Sequence, residues 1–388
     1  MSLNPVKYVC GRLIALVILG CMIVSGGSYA QDSSATSGGD AMSAGTALTF
    51  TSWTGPYMRS QMLGFVRPYE KARGSRVRVE HYAGGIDEIR DQVESANVIW
   101  DVVDLTQADS LRACNEGLLE NLEGIDLPDG KDGSKFRDDF VDGALNKCGV
   151  GVIVWATAYG YNKDVFADGA PGSIADFFDT KKFPGRRAIR NDPSVVMEWA
   201  LIADGVEPQD VYSLLETPKG VARALKKMDA IKPGLQLWTK GLEPVRLLNA
   251  GEAAMSMIWA TTGATEARKD NAKFSIIWDG RVVELDLFGI PKGSLNKDAA
   301  IDFIRFASSS ESLANMVKQL PNGPTRKSSL ALLPEDVQAQ LPNGPAYADK
   351  ISIRSDAQWW SKNHASLKEA FDAWLAESGQ QGAAGTTR

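Results

Sequence analysis

Between Ala47 and Gly117 the chain switches repeatedly between two hydrophobic periods, and this alternation restricts the fold more than any other feature of the sequence. Ala47–Trp53 reads as a strand closed by the turn Thr54-Gly55-Pro56-Tyr57. A helix follows to about Arg73, with Met58, Met62, Phe65, Val66 and Tyr69 close to helical spacing. Arg76–Tyr82 alternates as a second strand, Ile86–Ser95 as a helix, Val98–Leu105 as a third strand and Ala108–Glu116 as a helix stopped by Gly117. Strands separated by helices pair in parallel, so this order predicts an α/β, doubly wound sheet with ligands outside the carboxyl ends of its strands. Trp53, Asp104, Thr106 and Gln107 all fall at such ends.

A second informative stretch runs from Met255 to Gly293. Two apolar runs end at tryptophan, Met255–Trp259 and Phe274–Trp278, and Val283, Leu285 and Leu287 then alternate with Glu284 and Asp286. Strict alternation puts Glu284 and Asp286 on one face of a strand. Beside Trp259 they would suit a small organic cation, held by ring quadrupoles and charge-assisted hydrogen bonds. Spacing alone leaves solvated carboxylates on an edge strand as the simpler reading.

The remaining body continues the α/β pattern. Gly149–Tyr161 reads as an apolar strand pair with Trp155 at its centre and as a crossing between two lobes. Short helices are expected at Ile174–Phe178 and Ser194–Asp204, with a strand at Arg187–Arg190. Asp192 lies between the last two, free to cap the helix or to face a ligand. Gly220–Ile231 and Leu242–Ala250 read as helices with Trp238-Thr239 in the loop between them. Asp298–Ser308 and Ser310–Gln319 are amphipathic helices, and a C-terminal helix closes through Phe371–Ala376.

The ends of the chain bear on its compartment. Lys7 and Arg12 precede an apolar run from Leu13 to Val24, and Ser28-Tyr29-Ala30 supplies small residues for cleavage. Residues 1–30 therefore read as a signal peptide and 31–46 as a flexible Ser/Gly/Ala leader. Ile18-Leu19-Gly20-Cys21 loosely matches a lipoprotein box but lies inside the apolar run, which favours a protein exported to the periplasm over one anchored at Cys21. Cys114 and Cys148 are the cysteines left downstream; in an oxidising compartment they are expected to pair, with two buried free thiols as the alternative. Residues 379–388 read as a disordered tail.

Charge and motifs narrow the function classes. The net charge of −6, with both signs interspersed, argues against nucleic acid and anionic membranes. There is no C-x-x-C or H-E-x-x-H, and His81 and His364 are the only histidines, so neither a metal nor another cofactor is expected. No G-x-S-x-G, P-loop or complete G-x-G-x-x-G occurs, so the chain does not read as an enzyme.

The order of these segments resembles the periplasmic solute-binding proteins of ABC importers, in particular the spermidine/putrescine-binding branch. The resemblance spans about Leu48 to Leu375 and rests on LTFTSWTGPY, WDVVDLT, VIVWATAYGYNKDVF, GEAAMSMIW, ELDLFGIP and PNGPTRK. It implies the type II periplasmic binding protein fold: two doubly wound lobes joined by hinge strands, lobe 1 being 47–156 plus 285–323 and lobe 2 being 157–284 plus 324–378. It further implies a small cationic solute, a polyamine or related amine, and an inner-membrane ABC permease as partner for a monomeric binding protein. Carried over residue by residue, Trp53 and Trp259 would stack on the solute, Thr106 would hydrogen-bond it, Asp286 would neutralise an amine and Asp192 would serve the opposite end. Glu284 stands where the family commonly has another stacking tryptophan, Ala108 stands near a usual tyrosine, and Val195 replaces a carboxylate that only Glu198 approaches. These departures loosen the fit to linear polyamines and leave a cation-friendly pocket, with Trp155 and Trp238 as further walls or as core. The same fold with a sugar, an amino-acid derivative or ferric ion is the alternative, the last suggested by Tyr159 and Tyr161.

Overall fold

The computed structural model describes residues 48–167, 169–342, 347 and 349–383. The expected signal peptide and leader lie outside them. Ten strands form one sheet among the described residues: β1 Leu48–Ser52, β2 Val77–His81, β3 Val102–Thr106, β4 Val150–Asn162, β5 Arg187–Arg190, β6 Gln236–Trp238, β7 Met255–Trp259, β8 Phe274–Gly289, β9 Gly323–Pro324 and β10 Ser352–Arg354. The order is β2-β1-β3-β8-β4-β7-β5-β6, with β9 beside β4 and β10 beside β8.

Helical crossovers make β1 parallel to β2 and β3 at one end, and β5 parallel to β6 and β7 at the other. Two long strands join these ends. β8 runs antiparallel to β3 and β4, and β4 antiparallel to β7 and β8, so the whole sheet is mixed. Their length follows from sequence: each is apolar over a run that lies against two cores in succession. The first core gathers Phe50, Phe65, Val102, Val152, Leu287, Phe288 and Phe303. The second gathers Tyr159, Phe177, Ile189, Trp199, Met257 and Phe371. Trp259 packs against both.

Several local expectations are revised. Gly149–Tyr161 is not a strand pair: Val150–Asn162 is one continuous strand. Phe274–Trp278 and the alternating run after it likewise belong to the single strand β8. Its register with β4 jumps between Thr157↔Val282 and Tyr159↔Ile277, so the residues between, including Gly280 at φ 75°, bulge from the ladder. The third strand begins at Val102 rather than Val98, and Trp238 closes β6 rather than lying in a loop. The last helix, Ala357–Ala383, extends into the stretch read as tail; 384–388 lie outside the described residues. Cys114 and Cys148 form a disulfide, which ties the helix Gln107–Asn115 to the approach of β4. No helix among the described residues is long and apolar enough to cross a membrane.

Candidate functional site

The parallel strands at both ends of the sheet point their carboxyl ends into one cavity of ≈ 380 Å³, within the ~300–1,000 Å³ usual for small-molecule pockets. Trp53, Tyr82 and Thr106 follow or end β1, β2 and β3 and enter from the first core. Arg190 and Trp259 end β5 and β7 and enter from the second, with Thr239, Lys240 and Gly241 from the loop after β6. That loop approaches closely: a side chain on Gly241 would meet the Trp259 ring at 3.6 Å and the Thr54 carbonyl at 3.8 Å.

Aromatic rings wall the first side. Trp53 lies 5.5 Å from Tyr82 and 6.1 Å from Tyr57, centroid to centroid. Gly84, at φ 92°, makes room for the indole, since a Cβ there would sit 3.1 Å from Trp53 Nε1. Trp259 lines the opposite part, and Trp238 stands behind it edge-on at 5.0 Å, almost fully buried. Of the two extra tryptophans expected as walls or core, Trp155 therefore lines the cavity and Trp238 does not.

Asp286 is the carboxylate of this cavity. Pairing of β8 with β3 and β4 sets it opposite Thr106 and Ile153. Trp155 Nε1 donates to its Oδ1 at 2.8 Å. Behind it lies Asp104, fully buried, whose Oδ2 accepts from Tyr57 Oη (2.7 Å), Gln61 Nε2 (2.5 Å) and Ser52 Oγ (3.2 Å), while Oδ1 has no partner. Burial pushes the Asp104 carboxyl up to about 7, against the lowering pull of its three donors. Burial, and then the neighbouring Asp104 and Glu284, raise Asp286 well above the carboxylate range.

Glu284 faces elsewhere. With Asp192 and Thr106 it lines a smaller chamber of ≈ 50 Å³, built from Ala108, Asp109 and Arg112 of the helix Gln107–Asn115, from Arg190 and Ser194, and from Trp360, Ser361 and His364 of the C-terminal helix. Thr106 and Arg190 line both chambers. Asp192 does not cap the following helix, whose N-cap Val195 receives no side-chain bond. Its Oδ1 accepts from Ser194 N at 2.9 Å and its Oδ2 pairs with His364 Nε2 at 3.0 Å. Burial would raise this carboxyl, yet His364, Arg190 and Ser194 together hold it below its ordinary value. Burial pushes Glu284 up to about 8, Arg190 opposing and Glu198 reinforcing the shift. Glu198, expected near a carboxylate position, is buried and accepts from Trp360 Nε1 and Tyr212 Oη instead of reaching either chamber.

Tyr57, Tyr82, Arg190 and Lys240 were absent from the expected site. Arg190 did carry a signal, being the last residue of a strand read from the sequence. Tyr159, one of the tyrosines suggestive of iron, is buried and donates to Ser173 O at 2.8 Å. Among the described residues no group of three or more His, Cys, Asp and Glu could hold a metal ion.

A cleft between strand ends, walled by rings and holding isolated charges, defines a protein that encloses a small solute. Residues 64–345 match the family of bacterial extracellular solute-binding proteins, and the chain belongs to it. A γ-aminobutyric acid-binding protein of Pseudomonas aeruginosa is 36% identical over 332 residues, covering 85% of this chain and 91% of the relative. The PBP MotA from A. tumefaciens B6, solved in complex with glucopine, superposes with TM-score 0.78 at 27% identity, covering 85% of this chain and 100% of that one. An ABC transporter substrate-binding protein from Bradyrhizobium japonicum USDA 110 gives TM-score 0.75 at 30% identity over 85% and 99% of the two chains. Structures of spermidine/putrescine transport proteins share the fold at 18% identity or less, a likeness of architecture alone. The chain is thus the substrate-binding component of an ABC importer.

Proposed function

We propose that this protein, exported to the periplasm, captures a short ω-amino acid of the 4-aminobutyrate class and presents it to an ABC permease. The observation behind this reading is Arg190. Its guanidinium lines the same cavity as Asp286, yet it makes no hydrogen bond or ion pair among the described residues. A free cation from one side of the cleft and a carboxylate among rings from the other complement a zwitterion. The ammonium would sit at Asp286 against Trp53, Tyr57 and Tyr82, and the carboxylate at Arg190 near Lys240. A diamine would instead bring a second ammonium towards Arg190 and Lys240. The γ-aminobutyric acid-binding relative supports the same class.

The energetics suffice. Charge-assisted hydrogen bonds contribute ~1.5–3 kcal/mol each, and a desolvated cation–π contact about 2 kcal/mol. A micromolar solute needs roughly 8 kcal/mol net. The two cores would act as lobes, 47–156 plus 285–323 and 157–284 plus 324–378, pivoting on β4 and β8, and the closed form would be what the permease recognises.

Calorimetric titration tests this with 4-aminobutyrate and putrescine. The amino acid should bind more tightly, Asp286→Asn should weaken it tenfold or more, and Arg190→Gln should weaken it while sparing putrescine. Tighter binding of putrescine, or indifference of 4-aminobutyrate to Arg190→Gln, would overturn the proposal.

A further inference from the structure

Resting on the ω-amino acid reading, we propose that the small chamber beside the main cavity is a subsite for an α-ammonium, so that the preferred solutes are α,ω-diamino acids. Two acids of the chamber are already paired. Asp192 is committed to His364 and Ser194, and Asp109 to Arg112 at 3.3 Å and to the Gly85 amide. The Glu284 side chain makes no hydrogen bond and no ion pair among the described residues, and neither does the Arg190 guanidinium that lines the same chamber. Arg112 Nε is buried without a partner. An acid and a base that share a chamber without meeting leave a place for a group carrying both charges.

The strand supplies the spacing. Glu284 and Asp286 are alternate residues of β8, paired in regular register with Trp155 and Ile153 of β4. Alternate side chains on one face are separated by two rises, ~6.6 Å. The two nitrogens of 2,4-diaminobutyrate are four bonds apart, ~5 Å when its chain is extended at little more than 1 Å per bond, and the hydrogen bonds at either end span the difference. With the ω-ammonium on Asp286 and the carboxylate on Arg190, which lines both chambers, the α-carbon lies at their junction. A substituent there enters the space in front of Glu284.

Volume and charge select the substituent. The chamber of ≈ 50 Å³ exceeds the ~10–15 Å³ that one water requires but admits only a small polar group. Glu284, held up at about 8 by burial, is neutral when the chamber is empty and becomes a carboxylate when an ammonium arrives. With Asp192 paired to His364 and Asp109 to Arg112, Glu284, Asp286 and Arg190 set two acids and one base around the junction of the chambers, matching the two ammoniums and one carboxylate of a diamino acid. An ω-amino acid leaves Glu284 unanswered, and a diamine leaves Arg190 unanswered.

The matched probes are 4-aminobutyrate and both enantiomers of 2,4-diaminobutyrate, which differ only at the α-position, titrated calorimetrically into the full mature protein at neutral pH. One enantiomer should bind at least tenfold more tightly than 4-aminobutyrate, and Glu284→Gln should bring that ratio close to one. A ratio of one in the unaltered protein, or a ratio that survives Glu284→Gln, overturns the subsite and leaves the ω-amino acid reading intact. Binding of none of the three overturns both.

Discussion

At the scale of single residues the site depends on how Asp286 is held. Trp155 serves it twice, as part of the wall and as the donor to Oδ1. Trp155→Phe keeps a ring and removes only the N–H. A hydrogen bond to a charged acceptor is worth ~1.5–3 kcal/mol, and without it the buried carboxyl is further biased towards its neutral form. Affinity for 4-aminobutyrate should therefore fall about tenfold, read by calorimetry, with little change in melting temperature; an unchanged dissociation constant would remove Trp155 from the support of Asp286. Trp53, Trp259 and Asp286 line the candidate cavity, and each carried a sequence signal, the tryptophans by standing out at strand ends and Asp286 by the alternation along β8. Arg190 was less legible. It opens the polar run Arg190-Asn191-Asp192, where any of several side chains could turn inward. His364 carried no local signal: its partner Asp192 lies 172 residues away, and only the docking of the C-terminal helix joins them.

Elements are legible where their hydrophobic period is uninterrupted and illegible where tertiary contact overrides it. The alternation along β8 predicted that Glu284 and Asp286 share a strand face, but not that they serve separate chambers, because Thr106 and Arg190 intervene from other elements. The helical run after β1 shows the same override. Apolar spacing marked a plain helix from the turn ending at Tyr57 to about Arg73, yet Met62–Val66 adopts the wider π form. There Gly64 lets the helix Ser310–Gln319 approach so closely that a Cβ would fall 2.6 Å from the Met316 Cα. Backbone on that side cannot swing away as a side-chain tip could. Gly64→Ala should therefore destabilise the fold by about 1–3 kcal/mol despite its better helix propensity. Denaturant titration measures this, and a neutral or stabilising result would show that the two helices can separate without cost.

Across the molecule, the cleft draws on stability that the cores provide. Asp104 and Glu198 are held near 7, Glu284 near 8 and Asp286 also high, each first by burial. Their ordinary values are 3.8 for aspartate and 4.5 for glutamate. The folded chain therefore binds more protons than the unfolded chain between about pH 4 and 8, and unfolding free energy declines as pH rises through that window. Asp192, held low, acts in the opposite sense: its contribution is present above the ordinary aspartate value and fades on acidification below it. The ligand-free protein should accordingly melt highest in mildly acidic buffer and lose stability towards pH 8. A bound ammonium replaces the missing proton at Asp286, so the rise in melting temperature produced by a saturating ω-amino acid should grow from pH 5 to 8. Asp104→Asn removes one of the buried acids and should flatten the ligand-free profile. Scanning calorimetry across that range checks all three slopes, and a ligand-free melting temperature that is constant or rising from pH 5 to 8 would mean that these buried carboxyls do not retain protons in the folded state.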